Sequence, residues 1–361
     1  MPVNGFLISR RCWLRRLTLS FAGRAIAGRQ TVNTAPWMAI QDFAQYPNVL
    51  TPNTDFFVRN HFAQPAIEVS NWTLRVEGAV ERPQSFRYGD LKSMPYRAVT
   101  AVVECAGNDS GDGAVGCAVW SGPALTDLLR ECGIKASARR VRFVAADRGS
   151  EADSEKDIPY ARSIEMNKAR DRDTLLALQM NGTPLPPENG FPVRVLVPGV
   201  YAMDSVKWIE KIEVLEDPDN SFFMTQRYLR QNRAINLDPH DRVGALQIKS
   251  IIVKPIEAAV IRGTVVDIGG YAWGGRERIN CVEVTSDDGK SWRRARLLTE
   301  SQPFGWVPWR LLWERASSGV QTIAVRAFGA AGAVQPSTRS VAREDRYELN
   351  HYHQVSFTVK A

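Results

Sequence analysis

The sequence of 361 residues lacks paired cysteine motifs and long apolar runs. Its five cysteines, at positions 12, 105, 117, 132 and 281, form no CxxC pair and no CxxCH haem-attachment site. An odd number of widely spaced cysteines argues against a disulfide framework, and the missing CxxCH excludes a covalent c-type haem on this chain. No run of about 18 or more apolar residues occurs, so no ordinary membrane-spanning helix is predicted.

Net positive charge is small outside the N-terminus. The net charge is +7, and subtracting the arginines that precede the first acidic residue, Asp42, leaves +1 for the rest of the chain. A nearly neutral body has no electrostatic footprint for a phosphate backbone, so no nucleic-acid partner is expected. A content of 44% hydrophobic and 24% charged residues is typical of a globular chain of about two domains. The subtracted arginines are Arg10, Arg11, Arg15, Arg16, Arg24 and Arg29.

Residues 1–30 allow two interpretations. The stretch "SRRCWLR" (9–15), followed by "LTLSFAG" and the small residues at 25–27, is similar to a twin-arginine export signal. Arg24 interrupts the short apolar stretch, which favours a disordered basic N-terminus instead. The first interpretation predicts a periplasmic protein and the second a cytoplasmic one.

The rest of the chain divides into two blocks with different predicted secondary structure. From about 37 to 241, β-branched runs such as "TLRVEG" (73–78), "RVRFVAAD" (140–147) and "FPVRVLVPG" (191–199) alternate with helical patterns. One of these, "SGPALTDLLRECGI", places Leu125, Leu128 and Leu129 on one face, with Gly133 as its stop. From 246 to 361 the pattern predicts strands at sandwich-like spacing, with Asp288-Gly289 as a hairpin turn.

Several separated motifs carry residues suited to chemistry. They are "FFVRNH" (56–61), "ECAGN" (104–108), "WSGPALTDLL" (120–129), "MNGTPLP" (180–186) and "GFPVRVLVPGVYAMDSVKW" (190–208), with "IRGTVVDIGGYAWGG", "VEVTSDDGKSW" and "AVQP" in the second block. A lone cysteine such as Cys105 is by default a small buried hydrophobe. Thiolate is also a soft ligand that suits a redox metal. An arginine such as Arg59 has a fixed fork of donors for an oxyanion.

Taken together, these motifs resemble the sulfite oxidase family over residues 37–361. The resemblance implies an α+β chain, with a mixed α/β molybdopterin-binding domain at 37–241 followed by an all-β, immunoglobulin-like dimerisation domain at 246–361. It implies the molybdenum-molybdopterin cofactor, with Cys105 as the protein ligand to the metal. Cys117, Cys132 and Cys281 match no such position and are expected to serve packing.

The resemblance also implies roles for other positions. Arg59 faces the substrate, and Tyr228, which lies 21 residues beyond Lys207, is the active-site tyrosine. Arg59 and His61 should face one way along an extended segment. Alternatives from the residues alone are a surface salt bridge for Arg59, a satisfied core histidine for His61 and a packing role for Tyr228. The cofactor-binding set implied is Phe57, Val58, Asn60, His61, Asp147, Asn189, Arg194, Ser205, Val206 and Lys207.

The implied reaction is oxidation of sulfite to sulfate by oxygen-atom transfer. Electrons would pass to a separate acceptor such as a c-type cytochrome, and two chains would form a homodimer. Four positions depart from the family pattern: Asp109 and Ser110 replace arginines, Asn189 a histidine and Asp204 an arginine. Added negative charge near the pocket would weaken attraction for a sulfite dianion. This leaves two alternatives: a molybdenum enzyme for another sulfur compound, sulfane-type or carrier-bound, and a non-catalytic relative.

Overall fold

Strands dominate the computed structural model, which describes residues 48–110, 113–152, 157–231, 241–314 and 316–360. In the first half, up to residue 231, the strands are β1 (Thr73–Gly78), β2 (Gln84–Arg87), β3 (Tyr96–Glu104), β4 (Val115–Pro123), β5 (Arg140–Gly149), β6 (Ile158–Glu165), β7 (Leu175–Ala177), β8 (Gln179–Met180), β9 (Thr183–Pro184), β10 (Arg194–Leu196) and β11 (Ile209–Leu215). They form sheets with the orders β2-β1-β11-β5-β6, β3-β4-β8-β9 and β10-β7. Within the first sheet β1 and β11 are parallel, whereas the other neighbours are antiparallel.

Side-chain alternation explains how the largest sheet buries one face. In β1, Leu74 and Val76 are buried while Thr73 and Arg75 are exposed, which is the two-residue period of a half-buried strand. Ile212 and Val214 of β11 join the same apolar cluster. This cluster also takes in the first half's longest helix, so one core holds the sheet and the helix together.

The helices of the described residues are short, and one of them matches its prediction closely. They are α1 (Tyr88–Ser93), α2 (Leu125–Cys132), α3 (Met166–Ala169) and α4 (Phe222–Thr225). In α2 the predicted leucines are buried, and Gly133 follows at φ 72°, the conformation in which a glycine ends a helix. The first half is therefore mostly β, with less helix than the mixed pattern predicted. The run 191–199 is a strand only at 194–196, because Pro192, Pro198 and Gly199 interrupt it.

The second half is all β, as the sequence predicted. Its strands are β12 (Lys249–Lys254), β13 (Val260–Arg262), β14 (Val266–Trp273), β15 (Ile279–Thr285), β16 (Arg293–Arg294), β17 (Arg296–Leu297), β18 (Val307–Trp313), β19 (Gly319–Gly329) and β20 (His353–Lys360). Sheets of order β12-β14-β18-β17 and β13-β20-β19-β15-β16 share one apolar cluster. Asp288 and Gly289 take φ of 56° and 83° and form a turn within the longer connection, residues 286–292, between the paired strands β15 and β16. The immunoglobulin-like assignment stays a prediction.

A further cluster joins the two halves directly behind the end of β3. Val102 and Val115 of the first half pack with Tyr271, Trp273 and Trp306 of the second. The loop that carries Cys105 leaves β3 at this boundary, so both halves determine where it lies. Within the described residues, no helix is long and apolar enough to cross a membrane.

Candidate active site

A cavity of about 660 Å³, including space open to solvent, lies beside the loop that follows β3. Every site residue predicted from the sequence lines it except Val58, whose neighbours Phe57 and Arg59 do. The structure therefore brings together residues drawn from separate motifs between 57 and 228. The remaining lining residues are Phe56, Val103, Ala106, Tyr160, Ala202, Met203 and Trp208.

Cys105 lies at the first position after β3 and is partly exposed to the cavity. Its N–H donates to the carbonyl of Ala114 at 2.9 Å, and its carbonyl accepts from the N–H of Asn108, also at 2.9 Å. These bonds close a tight loop and fix the backbone on both sides of the thiol. The other described cysteines lie away from the cavity, Cys117 and Cys132 being buried.

The segment that carries Arg59, Asn60 and His61 forms one wall of the cavity. Alternation predicted that Arg59 and His61 would face one way, and the resemblance implied that Asn60 binds the cofactor; all three line the cavity. The Asn60 side-chain oxygen accepts a hydrogen bond from Lys207 Nζ, which explains its inward direction. Arg59 Nη1 donates to the carbonyl of Asn60 at 3.2 Å, and no ion pair of Arg59 is found among the described residues, so its other N–H groups are available to a bound anion.

His61 and Tyr228 contact each other across the cavity wall. His61 Nε2 lies 2.6 Å from the Tyr228 hydroxyl oxygen, and the imidazole stacks on Tyr160 with centroids 4.4 Å apart. Burial, with the positive charges of Arg59 and Arg162, lowers the pKa of His61 to about 3. The imidazole is therefore neutral near pH 7. Burial also raises the pKa of Tyr228, so its phenol stays protonated.

Besides Arg59, two further cations line the cavity without a carboxylate partner in the described parts of the chain. The guanidinium of Arg194 is 4.8 Å from the Trp120 ring and donates to the backbone carbonyls of Asn189 and Ser205. Lys207 Nζ donates to the carbonyl of Glu188 at 2.8 Å. Burial lowers the pKa of Arg194 to about 9 and, together with the charge of Arg194, that of Lys207 to about 7. Such a pair of cations is suited to binding an anionic group, whose attraction would offset the cost of burying the two charges.

Unsatisfied polar atoms mark the same wall. The side-chain atoms Asp147 Oδ1, Asn189 Oδ1 and Arg194 Nε are buried without a hydrogen-bond partner among the described residues. Burial raises the pKa of Asp147 to about 6. Buried polar groups in folded proteins nearly always have partners, so orphaned donors and acceptors on one cavity indicate a polar ligand. Molybdopterin offers the nitrogens of its pterin ring and a terminal phosphate, so the orphaned atoms fit the molybdenum cofactor.

Ser205 and Val206 lie between the two cations in sequence and shape the cavity in different ways. The Ser205 hydroxyl oxygen accepts from the N–H of Val197 at 3.0 Å, so it orders the backbone. The Ser205 carbonyl accepts from Arg194 at 2.8 Å. Val206 is buried and joins the main apolar core. Both residues line the cavity.

Two expected sources of negative charge do not act on the cavity as predicted. Asp204 is buried in an ion pair with Arg162 at 2.7 Å, so its charge is neutralised, and neither Asp204 nor Asp109 lines the cavity. Arg162 also lies 5.3 Å from the Tyr228 ring. Sequence reasoning missed this arginine, although a cation within the apolar strand run "IPYARSI" was a detectable signal. It also missed Tyr160, for which no sequence signal was present.

Family comparisons agree with this geometry. A model described as the oxidoreductase molybdopterin-binding domain matches residues 61–223, and one described as the Mo-co oxidoreductase dimerisation domain matches residues 240–360. With the thiol, the cations and the orphaned polar atoms on one cavity, these matches define the class: a molybdopterin-binding oxidoreductase.

Individual relatives narrow the class. The chain is 33% identical to the sulfite oxidase of Gallus gallus over 317 residues, covering 80% of this chain and 68% of that protein. It is 32% identical to the sulfite oxidase of Arabidopsis thaliana over 350 residues, covering 85% and 87%. The chain belongs to the sulfite oxidase family. It spans only 59% of the Drosophila melanogaster enzyme and 52% of the Mus musculus enzyme.

A solved structure shows the same architecture. The sulfane dehydrogenase SoxCD from Paracoccus pantotrophus superposes with a TM-score of 0.75 and is 25% identical in sequence, covering 88% of this chain and 85% of that one. The fold of this chain is therefore of the sulfite oxidase type.

Proposed function

We propose that this chain oxidises sulfite to sulfate and passes the electrons to a separate acceptor. The observation that carries the proposal is the convergence on one cavity of a partly exposed thiol, three cations without a carboxylate partner among the described residues, and three orphaned polar atoms. When bound, the molybdenum cofactor supplies oxygen-atom transfer and two-electron redox chemistry. In balance, sulfite and water give sulfate, two protons and two electrons.

The cofactor is held by separate groups of residues. Cys105 offers the thiolate to the metal, a soft ligand suited to a redox centre. Arg194 and Lys207 hold the terminal phosphate, while Asp147 and Asn189 bond the pterin ring through their orphaned oxygens. Asn60, Ser205 and Val206 shape the wall of the cavity. Phe57 and Val58, which directly precede Arg59 in the sequence, support this wall.

Arg59 and Tyr228 are the residues proposed to meet the substrate. The guanidinium of Arg59 pairs two oxygens of the anion and so orients its sulfur. His61 is neutral, and in the tautomer protonated at Nε2 it donates to the Tyr228 oxygen. The phenolic hydrogen of Tyr228 then remains free to bond a substrate oxygen.

Assembly and location are part of the same proposal. The second half pairs two chains in a homodimer, which the match to a dimerisation domain supports. Sedimentation is expected to give twice the mass of the chain. Electrons leave to a partner such as a c-type cytochrome. The export signal that would place the protein in the periplasm falls outside the described residues and stays a prediction.

The test combines metal analysis with catalysis. Purified protein is expected to contain molybdenum and to reduce ferricyanide with sulfite, whereas Cys105→Ser is expected to lose this activity. Cys117→Ser is the matched control, because that thiol is buried away from the cavity. Full activity in Cys105→Ser would contradict the assignment of the ligand.

A second candidate is oxidation of another sulfur compound, sulfane-type or bound to a carrier. It is supported by the likeness to a sulfane dehydrogenase and by Asp109 and Ser110, which stand where arginines are expected. Among the described lining residues, Arg59 and Arg194 are the only arginines, and Arg194 is already assigned to the phosphate of the cofactor. Molybdenum-loaded protein that is inert toward sulfite but active with sulfane compounds would favour this candidate.

A further inference from the structure

A buried polar network connects the second half to the two ends of the Cys105 loop. The Glu104 carboxylate is 1% exposed, and Lys249 Nζ lies 3.0 Å from its Oε1. Trp273 Nε1 donates to Oε2 at 2.8 Å. Asn108 Nδ2 donates to Oε1 at 3.0 Å. Lys249 and Trp273 belong to β12 and β14, whereas Glu104 and Asn108 lie on either side of Cys105.

The same network reaches the backbone of the loop. Lys249 Nζ donates to the carbonyl of Asn108 at 2.8 Å, and the Asn108 side-chain oxygen accepts from the N–H of Ala114 at 2.9 Å. One ammonium thus bonds both the residue before Cys105 and the third residue after it. Every group in this set is buried and bonded.

Stability alone is a weak reason for such a network. The cost of desolvating a buried ion pair is comparable to its Coulombic gain, and apolar residues of similar volume often serve stability as well or better. A fully satisfied buried network does fix one geometry among several that apolar packing would tolerate. Its position around Cys105 indicates which geometry is fixed.

We propose that Lys249 and Trp273 are positioning residues that hold the Cys105 thiol in the wall of the cavity. They act through Glu104 and Asn108, so the second half sets the orientation of the sulfur in the first. The inference rests on the proposed role of Cys105 as the metal ligand. It assigns the second half a part in the chemistry besides pairing two chains.

The test compares two buried tryptophans. Trp273→Phe removes the N–H that bonds Glu104. Trp309→Phe is the matched control, because Trp309 is equally buried in the second half and its N–H has no partner among the described residues. The readout is the rate at which iodoacetamide alkylates Cys105 in the full-length, cofactor-free chain, followed by mass spectrometry of the peptide. In Trp273→Phe, Cys105 is expected to be alkylated about tenfold faster, which is the effect of losing one hydrogen bond to a charged group. In the control Trp309→Phe, Cys105 is expected to react at the rate of the unaltered protein.

A second pair of variants separates positioning from folding. Lys249→Met leaves Glu104 buried and unpaired and is expected to unfold at lower urea, whereas Glu104→Gln/Lys249→Met removes both charges and recovers the urea midpoint. In the double variant Cys105 alkylation is still expected to be fast, and X-ray absorption of the molybdenum-loaded protein to show a wider spread of metal–sulfur distances.

Failure of the positioning role and failure of the proposed function give different experimental results. Equal alkylation rates in Trp273→Phe, the double variant and the control would overturn the positioning role. Wild-type protein without molybdenum would overturn the proposed function instead, and the alkylation comparison could still be read.

Discussion

Lys207 carries its amino group into a cavity wall where no described carboxylate pairs with it. Burial and the charge of Arg194 lower its pKa to about 7, so without a bound anion the charged form is destabilised. Lys207→Met is expected to raise the urea midpoint of the cofactor-free chain at neutral pH and to release the cofactor about tenfold faster or more. Lys211→Met is the control, since that lysine pairs with Glu213 away from the cavity. Unchanged molybdenum retention would exclude the phosphate contact.

Asp147 gives the cofactor-free chain a pH dependence of definite sign. Burial raises its folded pKa to about 6 from an ordinary 3.8. The folded carboxyl therefore binds its proton more tightly than the unfolded one. This contribution to stability is complete below the unfolded pKa and is lost as the pH rises through about 6.

Asp147→Asn cannot ionise and should remove this dependence. At pH 7 and above the variant is expected to be more stable than the unaltered chain by about 3 kcal/mol, and below about pH 4 the two should be equal. Urea unfolding of cofactor-free protein at several pH values measures the difference. A difference independent of pH would show that the folded pKa of Asp147 is not raised.

At the scale of elements, the wall segment 57–61 has little regular structure. It is held at both ends by aromatic side chains that pack against glycines of neighbouring strands. A Cβ on Gly116 would lie 2.6 Å from the Phe56 ring, and one on Gly149 would lie 2.3 Å from the Phe62 ring. The rings fill the space that these glycines leave in β4 and β5. The segment between them, with Arg59 and His61, is thereby fixed against the cavity.

Gly149→Ala is expected to push Phe62 away from β5 and to destabilise the chain by about 1–3 kcal/mol, the usual cost of overpacking. Molybdenum content should fall with it, because the displaced wall carries Asn60 and His61. Gly89→Ala is the matched control: it lies exposed in α1 with nothing near its added Cβ, and it should stabilise by about 0.5–1 kcal/mol. Urea unfolding and metal analysis measure both effects, and equal results for the two variants would contradict this account.

Sequence patterns predicted a helix or a turn correctly where the residues nearby in sequence determine it. Helix α2 followed from its leucine spacing and Gly133, and the turn at Asp288-Gly289 from its residue types. The buried pair of Arg162 and Asp204 could not be predicted, because its partners are 42 residues apart and meet only through tertiary packing. That pairing cancels the expected effect of Asp204 on the charge of the cavity.

At the scale of the whole molecule, the boundary between the halves is part of the core. Val102 and Val115 bury themselves against Trp273 and Trp306, and Glu104 finds its cation only in the second half. A fragment of residues 1–241 would leave this apolar surface exposed to water and the Glu104 carboxylate without Lys249. The newly exposed apolar surface is the main cost, because the Glu104 carboxylate, once uncovered, is hydrated by water.

The fragment is therefore expected to bind the dye ANS, to unfold at lower urea than the full chain and to retain no molybdenum. The full chain should unfold in one transition when tryptophan fluorescence and far-UV circular dichroism are followed together, because each half completes the core of the other. A fragment as stable as the full chain, without ANS binding, would show that the first half folds independently and that the shared cluster contributes little.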